Sequence, residues 1–193
     1  EFRRVLFRSV LLGLLPAALA DSGARALVIG HGSGVTTASV LAGGSGPTEV
    51  VELEPGVIDA SRWFHAKGED PLDDPRTTLI MGDARTHLLH SAGRYGLIVS
   101  EPSNPWIAGV NNLFTVDFYR RVRTRLAPDG VFCQWVQLYE LSPRTFQSLI
   151  ASFTTVFPNS HLFCLWDAAD AILVAAPPGR ELSLDRLRAP AVR

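Results

Sequence analysis

Apolar runs and helical periods alternate along this chain. "RALVIG", ending at Gly30, reads as a buried strand, and Val35 to Leu41 as the helix that follows it. "TEVVELE" is a second strand, and Pro55 stands at the first turn of the helix "PGVIDASRWFHA". "TTLIM" is a third strand, followed by the short helix "DARTHLLHSA" with Asp83 placed as its cap. "YGLIVS" is a fourth. "LFTVDFYRRVRTRLA" is a long amphipathic helix, with Leu113, Phe114, Phe118, Val122 and Leu126 along one stripe, and it stops at Pro128–Gly130. "VFCQWVQLY" is a fifth strand, and Ser142 with Pro143 opens a helix over "SPRTFQSLIASFTTVF". "HLFCLW" and "DAILVAA", separated by a tight "DAAD" turn, are close enough in sequence to pair as a hairpin. Strand–helix alternation predicts a parallel α/β sheet, and the terminal hairpin adds one antiparallel strand.

The 193 residues suffice for one domain with a sizeable core. A content of 47% hydrophobic and 19% charged residues argues against disorder. A net charge of −1 leaves no large electrostatic footprint for nucleic acid. Cys133 and Cys164 both sit in apolar runs, which suits buried thiols. No C-x-x-C or H-x-x-x-H spacing occurs, so no metal is expected. Val10–Ala20 is too short to span a bilayer, and Pro16 interrupts it; it reads as a helix packed on the domain. Before it, "EFRRVLFRS" matches nothing around it, and the sequencing-adapter codons GAG TTC AGA CGT GTG CTC TTC CGA TCT translate into it. Residues 1–9 are therefore expected to be foreign, with the natural chain beginning upstream of Val10. The folded domain is expected over 10–177, and the polar, proline-rich tail 178–193 is expected to fray.

In an open α/β sheet, ligands sit beyond the carboxyl ends of the strands, where strand order reverses. The first strand ends in Gly30-His31-Gly32-Ser33-Gly34, a loop that lets a ligand approach bare backbone. The second ends at Glu52, whose carboxylate can accept both hydroxyls of a ribose. The third ends in "MGDA", where Asp83 can bond an adenine amino group. A dinucleotide loop needs a third small residue where Val35 stands. G-x-G-x-G suits a sulfonium nucleoside, which has no pyrophosphate to cradle. The alternative is that the glycines only make turns and Asp83 only caps. Beyond the fourth strand, "SEPSNPW" sets Glu101 and Asn104 between Pro102 and Pro105, which stiffen the loop ahead of Trp106. Glu101 is suited to hold a cationic amine and remove its proton, and Trp106 to lie against a cation or an alkyl chain. The alternative there is a rigid loop whose Glu101 caps a helix or pairs with an arginine.

The order of elements resembles the Rossmann-like, seven-stranded fold of S-adenosylmethionine-dependent transferases. From about Leu14 to Ala176 the chain is similar to the catalytic domain of the spermidine synthase family, the polyamine aminopropyltransferases. The likeness is carried by "LVIGHGSGVTT", "VVELEPGVIDASRWF", "DDPRTTLIMGDAR", "YGLIVSEPSNPW", "LFTVDFYRRVRTRLAPDGVFCQW" and "TVFPN". It is strongest to the branch joined to a membrane transporter-like region. The resemblance implies transfer of an aminopropyl group from decarboxylated S-adenosylmethionine to an amine such as putrescine. Gly30, Gly32, Ser33 and Gly34 would then hold the donor, with Glu52 on the ribose and Asp83 with Ala84 on the adenine. Glu101 would take the place of the catalytic aspartate, Asn104 that of a second acid gripping the amine, and Gln134 would lie near the substrate channel.

Two departures stand out. Ser33 occupies the place of an aspartate that contacts the donor's aminopropyl amine, and Asn104 is neutral where an acid is usual. The site thus looks short of negative charge for a diamine. Ordinary S-adenosylmethionine carries its own carboxylate and would be tolerated better. "SNPW" is also similar to the Asn-Pro-Pro-aromatic loop of amine methyltransferases, which keeps N-methyl transfer open, and a non-catalytic nucleoside or polyamine sensor of a fused transporter is a third reading. The expected partner is a small-molecule polyamine, with no nucleic acid. A membrane region fused upstream and a homodimer are both compatible. The expected setting is the cytoplasm, including as the cytosolic domain of a membrane protein. His31 is expected to face solvent, His65, His87 and His90 to be surface or packing residues, and Arg120–Arg125 to form a solvated helix face.

Overall fold

Leu27 and Ile29 leave β1 (Ala26–Ile29) on one face of the sheet, Ala26 and Val28 on the other, and each pair joins a different core. That full burial on both sides is what an unbroken apolar run requires of a central parallel strand. The computed structural model describes residues 2–65, 69–103, 109–164 and 169–179, excepting the side chains of 2–5. Asn104, Trp106, half of the "DAAD" turn and nearly all of the 178–193 tail lie outside them.

The elements in chain order are α1 (Phe2–Leu19), β1, α2 (Val35–Ala42), β2 (Thr48–Glu52), α3 (Pro55–Ser61), β3 (Thr77–Met81), α4 (Ala84–His90) and β4 (Tyr95–Ser100). Then come α5 (Val116–Arg125), β5 (Leu126–Gln137), α6 (Pro143–Val156), β6 (Ser160–Cys164) and β7 (Asp170–Ala175). The seven strands run in the order β3-β2-β1-β4-β5-β7-β6, parallel except that β7 is antiparallel to both its neighbours. Strand order reverses between β1 and β4, which opens the ligand crevice there. The expected caps are in place: Asp83 accepts from the Thr86 amide at 2.8 Å and Ser142 from the Thr145 amide at 3.1 Å.

The face carrying α4, α5 and α6 is filled by Tyr119, Phe132, Phe153 and Phe157. Tyr119 meets Phe153 edge-on at 5.1 Å, and Phe132 stacks on Phe153 at 5.5 Å between centroids. The opposite face is covered by α1 and α2, which meet closely at Gly13. A Cβ there would stand 2.5 Å from that of Ser39.

The helix expected over Val10–Ala20 forms within α1 and runs through Pro16; Ala20 donates to the Pro16 carbonyl at 3.0 Å, and burial of Leu12, Leu15 and Leu19 outweighs the lost amide. Other expectations fail for reasons of packing. The helix predicted from Leu113 starts at Val116, because Thr115 caps it. The Pro128–Gly130 stop is instead absorbed in β5: pairing jumps from Tyr95–Leu126 to Leu97–Val131, so the turn residues bulge out of a longer strand. Cys133 is buried, but Cys164 is exposed, since β6 is an edge strand. The arginine face of α5 does more than meet solvent. Arg123 donates to the Val156 carbonyl at 3.2 Å, and Arg125 to those of Leu88 and Leu89 at 2.7 and 2.8 Å, satisfying the carbonyl ends of α6 and α4.

At the amino ends of the strands, Arg25 hydrogen-bonds Glu49, and Tyr95 Oη donates to Glu49 Oε2 at 2.7 Å. His87 Nε2 lies 2.9 Å from the Tyr95 hydroxyl. Burial pushes the Glu49 carboxyl up, but the hydrogen bonds from Arg25 and Tyr95 and the charges of Arg25 and His87 outweigh it, so its pKa lies below the ordinary 4.5. A depressed carboxyl contributes stability above its unfolded value and loses it as pH falls through the folded one. The melting temperature is expected to drop as pH is lowered from 5 toward 3 (about the range in which carboxylates titrate). Glu49→Gln should give a lower but flatter curve. Parallel melting curves for the two proteins would refute the assignment.

Candidate functional site

Four neighbouring strand ends form one rim. The Gly30 amide donates to the Val51 carbonyl, the Gly82 amide to that of Glu52 and the Glu101 amide to that of Ile29, each at 2.9 Å. The β3–β2–β1–β4 edge thus presents Asp83, Glu52, the glycine loop and Glu101 in a row, with adjacent strands about 4.8 Å apart. Gly30 has φ +87°, and a Cβ on it would stand 2.4 Å from the Glu101 carbonyl oxygen, so only glycine lets the two strand ends close up. Gly32 has φ +55° and nothing within 4 Å of where a Cβ would be, which leaves bare backbone facing open space.

Glu52 is pinned among backbone amides. Its Oε2 accepts from His31 at 2.8 Å, and Oε1 from Leu53 and Glu54 at 2.8 and 3.0 Å. These bonds tie the glycine loop to the second strand and leave Oε2 the better placed to take a further donor. Asp83 Oδ1 serves Thr86, and Ala84 is buried beneath it as the first residue of α4. Ser33 offers its carbonyl to His65 Nε2 at 2.6 Å.

His31 does not face solvent: it is 1% exposed. A Cβ on Gly34 would stand 2.6 Å from His65 Nε2, 3.1 Å from Pro71 Cγ and 3.2 Å from His31 Cε1, so the segment after α3 folds over the loop. Neither ring nitrogen of His31 has a hydrogen-bond partner among the described residues. Burial lowers its pKa, against the charges of Asp70 and Glu52.

Glu101 is engaged on the α1 side. Oε1 accepts from Arg8 Nη2 at 3.1 Å and Ser9 Oγ at 3.0 Å, while Oε2 is hydrogen-bonded by Thr36. The Arg8 guanidinium lies 4.4 Å over the Trp135 ring, and its Nη1 is 3.8 Å from Asp170 Oδ1. Trp135 Nε1 donates to the same Asp170 oxygen at 2.8 Å. Gln134 is wholly buried, its amide donating to the Trp135 carbonyl at 3.0 Å, with Oε1 unpartnered among the described residues. Asn104 and Trp106 fall outside the described residues. The sequence reading missed Trp135 and Asp170. The signal was there: an antiparallel β7 must begin at the rim where the parallel strands end.

A family model described as the spermine/spermidine synthase domain matches residues 8–166. The chain belongs to the spermine/spermidine synthase family. Putrescine N-methyltransferase 1 of Nicotiana tabacum is 31% identical over 148 residues, covering 76% of this chain and 39% of that protein. The spermidine synthase of Dictyostelium discoideum is 29% identical over 139 residues, covering 70% and 48%. The chain therefore spans less than half the length of these curated relatives. A spermidine synthase solved with the transition state analogue AdoDATO has the same fold, with a TM-score of 0.78 at 20% identity over 95% of this chain and 64% of that one. Among the described residues no helix is long and apolar enough to cross a membrane.

Proposed function

We propose that this spermine/spermidine synthase family domain moves an aminopropyl group from decarboxylated S-adenosylmethionine to an amine such as putrescine. The observation that carries the reading is the row of strand ends: bare glycine backbone, Glu52, Asp83 and Glu101 on four adjacent strands at the reversal of strand order. The residues fit the donor nucleoside. Gly32 leaves room over the loop, Glu52 Oε2 keeps acceptor capacity for a ribose hydroxyl, and Asp83 is an exposed carboxylate for the adenine amine. Gly30, Ser33, Gly34 and Ala84 complete that wall, and Gln134 is the described residue assigned to the acceptor side. Glu101 takes a proton from the acceptor ammonium. The freed nitrogen attacks the methylene carbon beside sulfur; the new N–C bond forms as the C–S bond breaks. Its electron pair stays on sulfur, and methylthioadenosine leaves.

N-methyl transfer is the second reading, favoured by Ser33 in the glycine loop and by the likeness to a putrescine N-methyltransferase. The same electron flow would then release S-adenosylhomocysteine. The two are separated by titrating the protein with S-adenosylmethionine and its decarboxylated form, then incubating with putrescine and identifying the nucleoside product. Methylthioadenosine is the expected product. S-adenosylhomocysteine would transfer the site to the second reading, and donor binding without turnover would make it a sensor.

A further inference from the structure

We propose that Trp135, Asp170 and Glu101 form a cage for the cationic head of the acceptor, and that Arg8 occupies it in this chain as a stand-in for that ligand. The inference rests on the amine-acceptor reading above and adds the residues that grip the acceptor. A planar cation lies on the indole face at 4.4 Å, with one carboxylate 3.1 Å from one terminal nitrogen and a second 3.8 Å from the other. An aromatic face attracts a cation through its quadrupole, and flanking carboxylates add charge-assisted bonds. The indole N–H to Asp170 bond at 2.8 Å fixes ring and acid relative to each other. Trp135 is nearly buried, so the pair is held by the core rather than by the ligand.

Two further observations point to a ligand. Gln137 is the register partner of Asp170 on the next strand and is wholly buried, yet neither atom of its carboxamide has a partner among the described residues. Paired residues on adjacent strands share a face, so this unspent capacity stands beside the cage. Arg8 itself fits imperfectly: its Nε is buried with no partner among the described residues, a costly state for a guanidinium N–H. Arg8 also lies in the 1–9 stretch, whose residues are those a translated sequencing adapter would give. On that reading its contacts report what the cage attracts. Asp170 supplies the second negative charge that Asn104 withholds, so a cationic acceptor is compensated from β7.

The test uses the full chain. Arg8→Ala empties the cage, and calorimetric titration with putrescine and with agmatine reads its affinity for an ammonium and a guanidinium head. Arg8→Ala is expected to bind at least one of them tenfold or more tighter than the unaltered chain. Asp170→Asn in the Arg8→Ala background should lose that gain. The amide oxygen still accepts the indole N–H, so only the charge is removed, and Asp170→Glu should recover part of it. Equal amine affinity with and without Asp170→Asn, in proteins of matching melting temperature, would overturn the cage. Binding of decarboxylated S-adenosylmethionine, titrated in the same samples, keeps the readings apart: its absence throughout counts against the donor site and not against the cage.

Discussion

Glu52→Gln is expected to weaken binding of decarboxylated S-adenosylmethionine roughly a hundredfold, about 2.7 kcal/mol. Three backbone N–H groups converge on this side chain, from His31, Leu53 and Glu54. A glutamine has one acceptor oxygen. If that oxygen serves Leu53 and Glu54, the NH2 group faces the His31 amide, donor against donor, in a nearly buried position. An unsatisfied buried donor costs about 1–3 kcal/mol. The His31 amide is the tie between the glycine loop and β2, so the loop is loosened where the donor would lie. The acceptor capacity left on Oε2 for a ribose hydroxyl is lost with it. Stability should fall by about 1–3 kcal/mol on the same grounds, measured by denaturant unfolding. Glu52→Asp keeps the charge but shortens the reach, and should fall between the two. A donor affinity within threefold of the parent in Glu52→Gln would remove Glu52 from the nucleoside site.

The strands and most helix starts were legible because they depend on local chemistry. An apolar run such as "ALVI" can be buried on both faces only in a central parallel strand. Asp83 and Ser142 announce helix starts through bonds to residues three positions away, and Pro55 through its fixed φ at the first helical position. What was not legible depends on partners distant in sequence. His31 looks like a loop histidine until Pro71 and His65 close over it. Trp135 and Asp170 sit 35 residues apart and meet because β7 runs back along β5. The site reads the same way. The glycine loop, Glu52 and Asp83 follow from strand ends, whereas the surroundings of Glu101 come from α1 and α2. For that reason Glu101, which the sequence left either as an amine-holding carboxylate or as the partner of an arginine, is bonded to Thr36, Ser9 and Arg8.

That arrangement sets the largest expected loss of activity. Glu101→Gln should lower the transfer rate by roughly 10²–10⁴-fold, the range for removing a positioned general base. Donor affinity should hardly change, because the Glu101 backbone still donates to the Ile29 carbonyl and still abuts Gly30. Thr36 positions the carboxylate rather than acting on substrate: it is 1% exposed, and its hydroxyl bonds Glu101 Oε2 while lying 3.1 Å from the Ser9 carbonyl. Thr36→Val keeps the shape and deletes the hydroxyl. The freed carboxylate should cost about tenfold in kcat, of the order of one lost charge-assisted hydrogen bond, with KM for the donor unchanged. Combining the two changes should add little to Glu101→Gln alone, since Thr36 acts through the group already removed. Single-turnover rates for the four proteins decide it. Full additivity would mean that Thr36 serves the fold alone, and a Glu101→Gln enzyme within threefold of the parent would mean that the acceptor loses its proton elsewhere.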